Sequence, residues 1–307
     1  MKRIILLMVV WILIGGYCPT EEERRFKRNP NLELFLSDTL CEEHYFSPVF
    51  SPDGKKVYCI VRKLSPIQNL LVSINIEDKK IDTIVRDSVL LFALNHRGDE
   101  IAYVKGKTDD ICEDPWSRLN NEDKIVFINT LTQSVIKEFN PFIAFVCDLE
   151  YTHDDSFLIF LGYGDTAKTG FYSLELTSLK ETLLVKVIAN KRYTFTLHPE
   201  NDSIFYSDSL WYPEFNPLNS SEFVFSNDQN ASQWLSDEPW YISCELYLYD
   251  LKENTKVSLN AKPYYYTSFG KISFSPCGRK IIFSAARPLI WESVDFSRQE
   301  LWILNLK

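Results

Sequence analysis

The chain has 307 residues, 45% of them hydrophobic and 24% charged, the proportions of an ordinary globular protein. A formal net charge of −9 excludes a general nucleic-acid binder, which needs a basic face. With 16 tyrosines and 21 phenylalanines against 10 glycines, the composition points to aromatic-rich β-structure in one large repeat domain.

Residues 1–18 hold Lys2 and Arg3, an uncharged run from Ile4 to Ile14, and then Gly15, Gly16, Tyr17 and Cys18. A basic start, a short apolar run and small residues predict an export signal. The run is shorter than the ~20 residues that span a bilayer comfortably, and an uncleaved membrane anchor is the alternative. Cys18 is a candidate lipidation site, although the bulky Tyr17 before it counts against that, and it can equally be discarded with the signal. Residues 19–31 contain the charge run from Glu21 to Arg28 and read as a solvated linker. From residue 32 to 307 the chain reads as one domain. Its first stretch, Leu32 to Leu36, alternates as a strand does, with Leu32, Leu34 and Leu36 on one face and Glu33 and Phe35 on the other.

A turn then organises everything downstream. In Ser51-Pro52-Asp53-Gly54, Pro52 presets φ for a turn and Asp53 and Gly54 tolerate the bend. The run Val57 to Val61 behind it suits a buried strand. The pattern returns at Asn95-His96-Arg97-Gly98, at Thr152-His153-Asp154-Asp155, at His198-Pro199-Glu200-Asn201 and at Ser275-Pro276-Cys277-Gly278. Asp155 and Asn201 stand where the other copies have glycine. Counted at Pro52, His96, His153, Pro199 and Pro276, the steps are 44, 57, 46 and 77 residues. Two of them match the period of about 40–45 residues of a four-stranded propeller blade, and the other two require insertions. Further strands follow each turn, among them Leu70 to Ile76, Ile125 to Asn129, Phe171 to Leu176, Glu245 to Leu251 and Glu300 to Leu306.

A Ser-Pro-Asp-Gly-Lys turn with an apolar strand, followed by a strand such as Glu245-Leu246-Tyr247-Leu248-Tyr249-Asp250-Leu251, resembles the WD40-like repeat of TolB-type β-propellers over residues 32–307. The resemblance implies an all-β fold, a single β-propeller of four-stranded blades. Five turn copies give five blades, with six open if the step of 77 hides a degenerate unit around Glu222 to Phe225. The final unit stops after its third strand. Leu32 to Leu36 is therefore expected to close the ring by pairing beside Glu300 to Leu306.

Three insertions, 107–123, 208–243 and 287–298, are read as loops on this scaffold, where binding function tends to concentrate. The aromatic residues Trp211, Tyr212, Phe215, Trp234, Trp240, Tyr241 and Trp291 are the candidate binding residues; pinning the loops to the propeller is the competing role. Catalytic chemistry leaves little trace. No Gly-x-Ser-x-Gly elbow and no phosphate-binding glycine loop occur. Cysteines 18, 41, 59, 112, 147, 244 and 277 include no Cys-x-x-Cys pair, which argues against a zinc cage; Cys59 and Cys147 read as buried thiols. His96, His153 and His198 fall in the turns, and none of the four histidines falls in a convincing innermost strand. The acidic residues of 107–123 lack a calcium-loop pattern. No cofactor or metal is expected.

The expected function is that of an exported, non-enzymatic scaffold that binds a protein, peptide or glycan through its loops or the mouth of the channel. A metal-dependent lyase or hydrolase with a channel site is one alternative, and a structural subunit of a cell-envelope complex is another. Membrane attachment through the N-terminus is consistent with all three.

Overall fold

The computed structural model describes residues 26–38, 43–86, 88–106, 123–164, 167–188, 191, 193–227, 245–263, 268–287 and 298–306. The expected export segment with Cys18 lies outside the described residues, as do Trp234, Trp240, Tyr241 and Trp291.

Local chemistry in the turns fixes the hairpins. The Gly54 N–H donates to the Ser51 carbonyl at 2.8 Å, and the Asp53 carboxylate accepts from the Ser51 hydroxyl at 2.6 Å and from the Lys55 N–H at 3.0 Å. Gly54, Gly98 and Gly278 hold φ of 68°, 76° and 63°, a left-handed conformation that costs glycine nothing. The substituted copies reach the same conformation with aspartate, Asp155 at φ 56° and Asp202 at φ 55°. In the fourth copy the glycine position is thus Asp202 rather than Asn201. The turn there is one residue longer, and the Asp202 N–H reaches the His198 carbonyl at 2.9 Å.

Each hairpin opens an antiparallel sheet. The first consists of β2 (Glu43–Phe50), β3 (Lys56–Leu64), β4 (Ile67–Asn75) and β5 (Ile81–Val85). The second consists of β6 (Val89–Leu94), β7 (Glu100–Lys105), β8 (Lys124–Asn129) and β9 (Val135–Phe139). The third consists of β10 (Phe145–Tyr151), β11 (Phe157–Tyr163), β12 (Gly170–Glu175) and β13 (Lys180–Lys186). A two-stranded sheet follows, β14 (Thr194–Leu197) and β15 (Ile204–Ser207). Four more strands are β16 (Trp211–Asn216), β17 (Asn219–Asn227), β18 (Glu245–Asp250) and β19 (Thr255–Ser258). The last sheet has β20 (Ser268–Phe274), β21 (Lys280–Arg287), β22 (Arg298–Asn305) and, on its outer edge, β1 (Leu32–Leu36).

The described residues therefore form an all-β propeller with five complete four-stranded blades, as the repeat predicts, and a two-stranded sheet between the third and fourth of them. The step of 77 residues is explained by that arrangement. The turn at His198 opens the two-stranded sheet, and the next full blade begins at Trp211 with its own turn at Asn216-Pro217-Leu218-Asn219. Residues 211–227 are consequently not an insertion but the first two strands of a blade. Pro213 disguises the first of them. It is tolerated because β16 pairs on one side only, and the register shift between Trp211 and Glu214 removes it from the ladder.

Ring closure by β1 is as expected, with Leu32 opposite Leu304 and Leu34 opposite Trp302. The facing differs from simple alternation. A bulge between Leu34 and Leu36 breaks the period. Leu32 (6% exposed) enters the core shared with Val224 and Leu246, Phe35 (5%) enters the core shared with Tyr45 and Val72, and Leu34 remains 43% exposed. Both faces of the closing strand are used, and Leu36 swings onto the Phe35 side.

The first strands of the sheets line the axis, β6 beside β10, β10 beside β14, β14 beside β16, β16 beside β20 and β20 beside β2. Apolar cores fill the gaps between neighbouring sheets, for example Tyr58, Ile60 and Leu71 against Phe92, Ile101 and Val126. The gap beside the two-stranded sheet is filled by aromatic rings, with Phe205 against Phe215, Phe223 and Phe225.

Candidate binding site in the central channel

The turns interlock around one end of the axis. An added Cβ on Gly98 would stand 3.0 Å from the Pro52 ring of the preceding turn. Where aspartate replaces glycine, its side chain makes the junction. Asp155 accepts the His96 N–H at 2.8 Å, the Arg97 N–H at 3.3 Å and a contact from His96 Nδ1 at 3.1 Å. Asp202 accepts the His153 N–H at 2.8 Å. Asp155 is buried and its two hydrogen-bonded backbone donors belong to the neighbouring blade.

Inside this collar the channel widens into a cavity of about 320 Å³. One ring of its lining comes from equivalent positions, three residues before the second residue of each turn. They are Val49 before Pro52, Ala93 before His96, Glu150 before His153, Thr196 before Pro199, Glu214 before Pro217 and Ser273 before Pro276. The ring is thus two-sided. Val49 and Ala93 are apolar, Thr196 and Ser273 offer hydroxyls, and Glu150 and Glu214 bring carboxyl groups. Lys271 also lines the cavity, and His96, His153 and His198 stand at its mouth.

Bulges aim the charged residues. The ladder slips between Val146 and Asp148, between Trp211 and Glu214 and between Phe269 and Ile272, next to Asp148, Glu214 and Lys271 respectively. Bulges re-aim side chains in this way beside functional sites. Lys271 Nζ donates to Asp148 Oδ1 at 3.4 Å. Glu150 Oε1 accepts the Thr196 hydroxyl at 3.4 Å and the Leu197 N–H at 3.3 Å, both long. The Glu214 carboxylate makes no hydrogen bond or ion pair among the described residues. The residue is half-buried, and its remaining accessible surface faces the cavity.

Electrostatics follow from that position. Burial pushes the Glu214 carboxyl up to about 7; Lys271 opposes the rise and Asp148 adds to it. Burial, then the nearby Glu214 charge, holds Glu150 well above the usual carboxylate range. Burial alone would lower the Lys271 ammonium, but Asp148, Glu150 and Glu214 outweigh it and hold the group above the ordinary lysine value.

Of the marked aromatic residues that are described, Phe215 alone lines the cavity, 6% exposed and with its ring 5.1 Å from that of His198. Trp211 and Tyr212 are half-buried on β16, their rings 6.2 Å apart and off the cavity. The described end of the acidic loop, Asp123, accepts the Val146 N–H at 2.8 Å. His44 does lie in an innermost strand, β2, contrary to expectation, but it is 4% exposed and burial followed by the Arg62 charge lowers its pKa. Cys59 is buried and Cys277 exposed, both as free thiols, and Cys147 is half-buried rather than buried. Among the described residues no group of three or more His, Cys, Asp or Glu converges as metal ligands would. Asp148, Glu150, Glu214 and Lys271 were not singled out by the sequence reading. Aligning the five turn copies and scanning three and five residues upstream finds Asp148, Glu150 and Lys271, because there the strands carry charges where their siblings carry apolar or hydroxyl residues; Glu214 needs the further turn at Pro217.

No family model matches the sequence, and no curated protein matches it. Solved propellers do match. TolB from Acinetobacter baumannii is 13% identical with a TM-score of 0.42 over 84% of this chain and 54% of its own, so the chain spans about half that protein's length. Oligogalacturonate lyase from Vibrio parahaemolyticus is 12% identical with a TM-score of 0.51, covering 90% of this chain and 97% of its own. The Cps50 (Swd1) β-propeller domain of Myceliophteria thermophila is 9% identical with a TM-score of 0.52, covering 84% and 96%. The similarity is one of fold, and it bears out the propeller that the WD40-like repeat implies.

Proposed function

We propose that the chain is an exported, non-enzymatic β-propeller that binds a protein or peptide partner at the turn-lined mouth of its channel. The observation that carries this reading is the cavity of about 320 Å³ inside the collar of turns, lined from all the innermost strands rather than from one blade. A ligand seated there touches every part of a rigid ring, which limits the ordering cost of binding. Export rests on residues 1–18. Cargo recovered from an envelope fraction by the wild-type protein, and lost with a His153→Ala/His198→Ala variant that keeps its melting temperature, supports the reading. Recovery unchanged by the mouth variant places binding elsewhere and refutes it. Recovery of a fixed set of envelope proteins in stoichiometric amounts would instead mark a structural subunit.

One observation favours a second, enzymatic reading. Glu214, held near neutrality, stands beside the ion-paired Asp148, an arrangement suited to proton transfer. A lyase or hydrolase working there would turn over an acidic or neutral glycan and lose that turnover in Glu214→Gln.

A further inference from the structure

The channel holds more carboxyl groups than its one lysine can pair. Three carboxyl groups, Asp148, Glu150 and Glu214, share one ammonium, Lys271, and that ammonium is engaged with Asp148. Glu150 has two long hydrogen bonds, and the half-buried Glu214 has no hydrogen bond or ion pair among the described residues. A half-buried carboxyl without a partner is costly to ionise, and a bulge in β16 aims this one into the open cavity. Ala93, next to Glu150 and opposite Glu214 in the ring, and Val49 beyond it offer no polar side chain. The cavity therefore presents an anionic end and an apolar wall at the same level.

We infer that the channel receives an extended primary amine, the side chain of a lysine from a bound peptide being the form that fits, with its ammonium between Glu150 and Glu214 and its methylenes along Val49 and Ala93. This rests on the channel mouth being the binding site, as proposed above. An ammonium with an aliphatic stem meets both sides of the ring, whereas a bare divalent ion would leave the apolar side unused. It would also need carboxylates that converge, which those among the described residues do not. The groups facing Glu214 are Asp148 and Glu150 from β10 and Lys271 from β20, with His96, His153, His198 and Asp202 nearer the mouth. At neutral pH Glu214 is partly protonated, and an entering ammonium displaces that proton. Binding then strengthens as the pH rises through the carboxyl's titration.

The test uses the full chain and two small probes, Nα-acetyl-lysine amide and the neutral Nα-acetyl-norleucine amide, titrated by calorimetry with thermal shift alongside. The lysine probe should bind and the norleucine probe should not. Its affinity should rise about tenfold between about pH 6 and about pH 8, with proton release into the buffer. Glu214→Gln should keep its circular dichroism and lose about tenfold or more in affinity at the higher pH, while Glu138→Gln on the exposed outer strand of the second blade should bind as wild type does. Equal binding of both probes, no binding of either, or full affinity in Glu214→Gln overturns the inference. Stabilisation by calcium that the lysine probe fails to reproduce overturns it in favour of an ion site. Loss of cargo with the mouth variant but not with Glu214→Gln would leave the channel-mouth reading standing without the amine, so the two failures are distinguishable.

Discussion

Phe35→Ala is the sharpest probe of ring closure. Phe35 belongs to the first described strand, yet its ring is buried (5% exposed) between the last and first blades, with the Lys79 ammonium 5.5 Å from its centroid. Truncating a buried phenylalanine costs roughly 3–5 kcal/mol through lost transfer energy and the cavity left behind. At an unfolding entropy of about 2.1 cal/mol/K per residue over about 275 residues, a loss of about 4 kcal/mol lowers the melting temperature by roughly 7 °C. Leu32→Ala, in the core on the opposite face of the same strand, should cost roughly 2–5 kcal/mol. Leu34→Ala is the control, because Leu34 is 43% exposed despite lying between the two; its cost should stay within about 0.5 kcal/mol. Differential scanning calorimetry on the three variants reads the pattern directly. If Phe35→Ala melts where Leu34→Ala does, β1 does not carry the last blade onto the first, and the closure argument fails.

Asp155→Gly relieves the left-handed strain by about 1 kcal/mol but strands the His96 and Arg97 N–H groups, and a net loss of roughly 2–4 kcal/mol is expected in urea denaturation. Asp155→Asn, which keeps an acceptor, should lose less than half of that. For pH, Glu214 is raised from 4.5 to about 7 in the folded state, so its contribution is fully present below pH 4.5 and is lost as the pH rises through about 7. Glu214→Gln should therefore be more stable than wild type at pH 8 by on the order of 3 kcal/mol, with the gap closing toward pH 4.5; a constant gap would refute the assignment. Cys277 occupies the place of Asp53 in its turn, exposed, its thiol lowered by hydrogen bonds from Ser275 and the Arg279 N–H, whereas burial pushes the Cys59 thiol far up. Iodoacetamide should label Cys277 in the native protein and leave Cys59 untouched, as mass spectrometry of a digest will show.

The hairpins were legible because their cause is local. A proline, a carboxylate and a glycine within four residues make the same turn wherever they fall. The blade beginning at Trp211 was hidden for the opposite reason. Pro213 and the left-handed Tyr212 look like a loop until the strand is known to be an innermost one, free on one side. The facing of β1 depended on a bulge that its five residues do not announce. Glu150, Glu214 and Lys271 lie on strands separated by scores of residues. Nothing near each one in the chain shows that they share a cavity, although their offsets from the turns do, three residues for Glu150 and Glu214 and five for Lys271.

The two-stranded sheet has a consequence for how the ring opens. β14 and β15 are joined by four residue pairs, where β3 and β4 share nine, and among the described residues no third strand of their sheet stands behind them. Local opening draws on the least protected ladder. Amide hydrogen exchange should therefore begin at 194–207 and spread outward from there, while the strand that fastens the two chain ends together exchanges late. The ring would then breathe at an internal joint beside Thr196 rather than at its fastening, and the cavity would have a lateral way in as well as the mouth.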